Sequence, residues 1–333
     1  MEWKWPGPLK GGVTQSMINK FHEDPFCFVL YYGMGLEEPC EYNQNLLWGN
    51  VFHKGLEVGL ERPEPIKAIL PEIKPHLEAE AAKYSYIYPT TVFSVLEMLK
   101  LYNDTFKFDL EMIETEKQFK VPHTTYSGKN EVSLMGKMDL LAYDKATGNR
   151  IMGEHKTKGT YDKLQFRMEY PHDQQLNIYF YANKVYEVVY DNILIPEAQW
   201  NCPARDMNEY HHAYIKRLYH NKEWGSYPVA KKPFMWIDQC TVAIAPESVE
   251  RFMIETVDPA IDQICDLYEY VSQPDFKPTE SFNKLYFKKP LRMFDPSRTD
   301  KFKKNYYLYL TNQIGETGLV PVDTLFKELH GEG

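Results

Sequence analysis

Residues 136–159 read GKMDLLAYDKATGNRIMGEHKTKG, two runs of alternating apolar and polar character joined by Lys145-Ala146-Thr147-Gly148. Side chains alternate across a strand, so a period of two on both sides of a turn predicts a strand pair. Gly148 supplies the positive φ that closes a four-residue loop. That turn sets Asp144 opposite Asn149, and counting outward in the same register sets Asp139 opposite Glu154. Opposed Cβ atoms in such a pair stand about 4.5–5.5 Å apart. Two carboxylates that close repel unless one keeps its proton or a cation sits between them. Lys156 shares the face of Glu154, while His155 points away. The plainer reading of the same residues is a surface hairpin carrying a Glu–Lys pair.

Around this pair, the composition narrows the class. With 333 residues the chain can bury a large core without disulfide or metal staples. Its 43% hydrophobic and 15% aromatic content excludes a disordered chain. The start, MEWKWPGPLKGG, lacks the basic-then-apolar layout of a secretory leader, and no apolar run is long enough to span a bilayer, so a cytoplasmic protein with no membrane partner is expected. Cys27, Cys40, Cys202, Cys240 and Cys265 are odd in number, dispersed and without a CxxC, so they read as reduced thiols. A net charge of −9 excludes a surface coated with basic residues. Lys284 to Lys304, KLYFKKPLRMFDPSRTDKFKK, is nevertheless dense in cations with aromatics between them. That pattern suits phosphate contact with base stacking, or equally a solvated face.

Upstream, Ser16 is placed to cap a helix through FHEDPFCFVLYYGMG, closed by Gly33 and Gly35, and a second helix starts near Leu47. The prolines of RPEPIKAILPEIKP predict a loop or broken connector, and YPTTVFSVLEMLKLYNDTF has helical spacing. Together residues 61–106 read as a helical insertion. ETEKQFKVP, EVSLMGKMDLLAYD and RIMGEHKT are predicted strands. HDQQLNIYFYANKVYEV follows as helix, YDNILIP and FMWIDQCTVAIA as strands, and PESVERFMIETVDPAIDQICDLYEYV as a long amphipathic helix. This order predicts one α/β domain over residues 1–333, a central mixed β-sheet flanked by helices, with residues 275–333 as a basic aromatic extension. Glu72-Ile73-Lys74 also spells E-x-K but lies in the proline-rich connector with no strand partner.

Asp, Glu and Lys converging on one spot suit phosphodiester hydrolysis. Carboxylates hold a hard cation that activates water, and an ammonium stabilises developing charge. Asp139 followed by Glu154-His155-Lys156 resembles the D…(D/E)xK site of the PD-(D/E)xK nuclease superfamily, and the flanking residues resemble its RecB-like branch, which includes phage exonucleases. Gln175-Leu176-Asn177-Ile178-Tyr179 is similar to that branch's QxxxY motif, and i, i+4 spacing puts Gln175 and Tyr179 on one helix face. GNVFHKGLE is similar to its GxxxH segment, and SMINKFHEDPFCFVLYYGMG to its first helix.

The resemblance, from about Ser16 to Phe252, implies a restriction-endonuclease-like core that holds Mg2+ or Mn2+ through His53, Asp139, Glu154 and the carbonyl of His155. It implies Lys156 beside the attacking water, with Asp139, Glu154 and Lys156 as the catalytic set and Gln175 and Tyr179 positioning DNA. Relatives with an iron–sulfur cluster carry Cys-Pro in the first helix, where this chain has Asp24-Pro25, so no iron–sulfur cluster is expected. Lys288, Lys289, Lys303 and Lys304 are expected to grip DNA, single- or double-stranded. The expected function is an exonuclease of phage-type DNA recombination, repair or degradation, acting with a recombination partner protein. The alternatives are a noncatalytic binding module on the same fold and a sequence-specific endonuclease.

Overall fold

The computed structural model describes residues 4–23, 25–37, 44–83, 89–105, 109–158, 169–194, 237–272 and 320–321. The chain forms two compact units, one from Met1–Glu41, Phe119–Gly136 and Glu247–Gly333, the other from Tyr42–Gln118 and Lys137–Pro246.

The strands are β1 (Val13–Thr14), β2 (Leu36–Glu37), β3 (Leu110–Thr124), β4 (Glu131–Asp144), β5 (Arg150–Lys158), β6 (Glu187–Leu194), β7 (Ile237–Ala243) and β8 (Val320–Pro321). Six of them make a mixed sheet in the order β1-β4-β5-β6-β7, with β3 also beside β4, while β2 and β8 pair separately. β4 and β5 run antiparallel from Tyr143↔Arg150 to Leu140↔Gly153. The Asp144 N–H donates to the Asn149 carbonyl at 2.9 Å, and Gly148 has φ 72°. The register is therefore the one the turn dictates. β6 joins β5 in parallel and β7 antiparallel, which places β5 inside the sheet. The sheet flanked by helices is the expected α/β fold class.

In the larger unit, α3 (Gln44–Leu60), α4 (Leu70–Ala82) and α5 (Pro89–Thr105) bury Trp48, Phe52, Leu77, Val95 and Leu99 in one cluster with Ile193 of β6 and Ile237 of β7. Trp48 stacks on Phe52 at 5.2 Å, and its indole N–H donates to Ser94 Oγ at 3.0 Å. The expected proline-rich loop is instead a 3-10 turn, Ile66–Ala68, followed by α4. Pro71 falls in the first helical turn, where a missing N–H costs nothing, and only Pro75 removes an intrahelical bond. Ile73, Leu77 and Ala81 at helical spacing are fully buried, and that burial outweighs the loss. The decoy Glu72-Ile73-Lys74 is thus helical, with Lys74 paired to Glu78 at 3.3 Å.

α3 approaches β5 closely because residue 49 is glycine. A Cβ there would stand 2.7 Å from Thr157 Oγ1. α6 (Gln174–Asn183) is capped by Asp173, whose side chain accepts the Leu176 N–H, and it ends at Lys184 with φ 52°. β6 consequently starts at Glu187, three residues before the expected strand, and the predicted helix is shorter than read.

In the smaller unit, α1 (Gln15–Glu23) begins with Thr14 Oγ1 accepting the Met17 N–H at 3.2 Å, so Thr14 and not Ser16 is the cap. α2 (Pro25–Phe28) runs into a π-turn at Val29–Gly33, and buried Trp5 lies edge-on to Phe28 and Tyr268. The expected long helix is α7 (Pro246–Phe252), a π-turn (Met253–Val257) and α8 (Asp258–Val271). The interruption precedes Pro259, which lacks a donor for the regular ladder. Among the described residues no helix is long and apolar enough to cross a membrane.

Candidate active site

β4 and β5 deliver Asp139, Glu154 and Lys156, and where the strand ladder ends Asp139 continues it with its side chain. Its Oδ2 accepts the backbone N–H of His155 at 2.8 Å. Glu154 is 4% exposed, and its Oε1 accepts Lys156 Nζ at 2.5 Å and Gln175 Nε2 at 2.9 Å. Gln175 completes the knot by accepting from Lys156 through Oε1 at 2.8 Å and donating to the Tyr179 hydroxyl at 3.2 Å. Burial, reinforced by the neighbouring Asp139 charge, pushes the Glu154 carboxyl up to about 7 despite Lys156. Burial alone would lower Lys156, but the Glu154 charge and hydrogen bond outweigh it and keep the ammonium charged. Tyr179 is raised by burial and by the Glu154 charge, which keeps the phenol protonated.

His53, brought over the sheet by α3, sits with Nδ1 3.7 Å from Asp139 Oδ2. Burial lowers its pKa, with Asp139 only partly compensating, so the imidazole stays neutral and offers a lone pair. Glu116 of β3 joins them, and ligand atoms of His53, Glu116 and Asp139 all lie within 4.8 Å of one another. One imidazole nitrogen and two carboxylates form a donor set that fits a divalent cation. Glu154 stands outside this group, its Oε1 engaged by Lys156 and Gln175.

Glu116 escapes a reading of the sequence because it has φ 48° in the middle of a strand. Such a conformation re-aims a side chain against simple alternation. Its carboxylate is paired with Lys137 Nζ. The only signal in the sequence is that Glu116 lies in the strand preceding the hairpin.

The reverse face of β5 is equally built. His155, 3% exposed, meets Asp191 Oδ2 through Nδ1 at 2.9 Å. The same Oδ2 accepts the Tyr102 hydroxyl at 2.8 Å, and Oδ1 accepts Gln239 Nε2 at 2.7 Å. Asp191, 1% exposed on β6, thus satisfies its buried charge with three donors and clamps the residue between Glu154 and Lys156. Its Asp side chain in YDNILIP is the sequence signal, although alternation alone does not separate it from a polar strand edge. The structure brings His53, Asp139, Glu154, His155, Lys156, Gln175 and Tyr179 into the larger unit. Lys288, Lys289, Lys303 and Lys304 lie outside the described residues.

Carboxylates, a neutral imidazole and a half-buried charged lysine at the end of an opened strand pair are the groups with which a metal-dependent hydrolase of phosphoesters would work. The family model of the PD-(D/E)XK nuclease superfamily matches residues 13–192, a span that holds every one of these side chains, and the chain belongs to that superfamily. Here Met138 precedes the motif aspartate and Glu154-His155-Lys156 forms the second half. A comparison with curated proteins found no match. Among solved structures, one described as "Crystal structure of SSO0001" matches at 14% identity over 64% of this chain and 84% of that one, with a TM-score of 0.28.

Proposed function

We propose that this chain is a Mg2+- or Mn2+-dependent deoxyribonuclease of the RecB-like branch, acting as an exonuclease. The observation that carries the reading is the interlocked Glu154–Lys156–Gln175 triangle beside Asp139, with His53 and Glu116 completing a cation-ready donor set. His53, Glu116 and Asp139 would hold the metal, joined by Glu154 and the His155 carbonyl as the resemblance implies. When bound, the ion lowers the pKa of water and neutralises phosphate charge. Lys156 orients the attacking water and stabilises charge on the phosphate, and the Glu154 bond keeps its ammonium in place. Gln175 fixes the Lys156 direction, and Gln175 and Tyr179 together position the DNA strand. No iron–sulfur cluster takes part.

In this proposal residues 1–333 work as one nuclease domain, 61–106 are a helical insertion, and the extension 275–333 grips DNA through Lys288, Lys289, Lys303 and Lys304. The setting is cytoplasmic DNA recombination, repair or degradation of the phage type, with a recombination protein as partner. The test is incubation with end-labelled linear DNA and closed circular DNA in Mg2+, Mn2+ or EDTA beside Glu154→Gln. Metal-dependent loss of linear DNA alone, abolished in the variant, is the expected result. Cut circles mean an endonuclease, and DNA that is bound but intact in every metal means a noncatalytic module.

A further inference from the structure

Three carboxylates crowd this site, and each of two lysines answers one of them. Lys156 is held by Glu154 and Gln175, but Lys137 has a different character. It stands two residues before Asp139 on the same face of β4, its side chain is 54% exposed, and its ammonium rests on Glu116. Asp139 and Glu57 add to the negative field that holds it there. Glu116 is therefore within reach of two cations in turn: the lysine now on it, and a divalent ion that His53, Glu116 and Asp139 could hold. A carboxylate gripped by an ammonium is a weaker metal ligand, and a divalent ion repels an ammonium at contact distance.

We propose that Lys137 is a resident counter-ion exchanged on metal binding. Its ammonium neutralises Glu116 while the site awaits a cation, and it withdraws into solvent when a divalent ion enters. The exchange rests on the metal-site reading above. It makes Lys137 a residue that sets metal affinity from outside the ligand set, and it accounts for an exposed lysine on a half-buried ligand where a tight permanent site would have none.

The experiment is Mn2+ binding without DNA, followed by the spin-resonance signal of free Mn2+ and by calorimetry. It compares the full chain with Lys137→Met, Lys137→Arg, Glu116→Gln, Asp139→Asn and the double variant Glu116→Gln/Lys137→Met. Removing the competitor should tighten Mn2+ binding by about fivefold or more, within the about 5–150-fold range of ordinary site–site coupling. Lys137→Arg should bind as the parent does. Glu116→Gln should weaken binding and cancel the gain in the double variant. Unchanged or weaker binding in Lys137→Met, with Asp139→Asn still abolishing it, overturns the exchange alone. Undiminished binding in Asp139→Asn overturns the metal-site reading on which it rests. Thermal melting of each metal-free variant separates these results from loss of fold.

Discussion

Asp139 reaches across the open end of its hairpin and accepts the backbone N–H of His155, so one side chain both caps the strand pair and stands in the His53–Glu116–Asp139 donor group. Asp139→Asn keeps an acceptor and should unfold in denaturant close to the parent, while losing Mn2+ affinity. Asp139→Ala leaves a partly buried N–H without a partner and should lose about 1–3 kcal/mol of stability. Equal stability of the two variants would refute the capping role.

The Gln175 amide ties Glu154, Lys156 and Tyr179 together. Lys156→Ala should lower DNA cleavage by about 100- to 1,000-fold, the scale of losing one preorganised charge-stabilising group. Gln175→Ala leaves Lys156 charged but loosely aimed, for an expected loss of about 100-fold. Tyr179→Phe removes a single acceptor and should cost about threefold to tenfold. A ranking in which Tyr179→Phe is the most damaging would be incompatible with this geometry.

In the metal-free protein, the Glu154 carboxyl is raised from 4.5 to about 7, so between these values the folded state binds a proton that the unfolded chain has released. Stability from this group is full below 4.5 and is lost as pH rises through about 7. Denaturant melts from pH 4.5 to 8 should show the parent losing stability relative to Glu154→Gln over that window. A difference that stays flat, or runs the other way, would contradict a raised carboxyl.

Gly49 lets α3 lie against β5, and with it sets the height of His53. Gly49→Ala would place a methyl 2.7 Å from Thr157 Oγ1 and should cost about 1–3 kcal/mol through overpacking. Thr157→Ala removes the obstructing atom, so the double variant should recover most of that loss and the Mn2+ affinity with it. Purely additive losses would mean that the helix does not lean on this residue.

Much of this arrangement was legible because a tight turn fixes register. Gly148 and the loop before it determine which residues of β4 and β5 face each other, and two opposed carboxylates follow arithmetically. The Gln175–Tyr179 pair was legible for the same kind of reason, since helical spacing brings i and i+4 together. Glu116 was not, because a left-handed residue inside a strand breaks the alternation on which the count depends. Helix α4 was hidden by its prolines, whose local penalty is visible in the sequence, whereas the burial of Ile73, Leu77 and Ala81 that repays it is a tertiary quantity. Asp191 was obscure for a related reason: its donors come from α5, β5 and β7, and no local pattern announces such a meeting.

That meeting bears on how the nuclease comes into being. Tyr102 and Asp191 are separated by 89 positions, and Gln239 lies a further 48 along the chain. Closing contacts of such separation is slow compared with forming a hairpin. The β4–β5 hairpin can therefore register early, while His155 acquires its final orientation only after α5 and β7 have docked. A nascent chain would carry its acidic pair long before it could aim it, and competence to cut would arrive among the last events of folding.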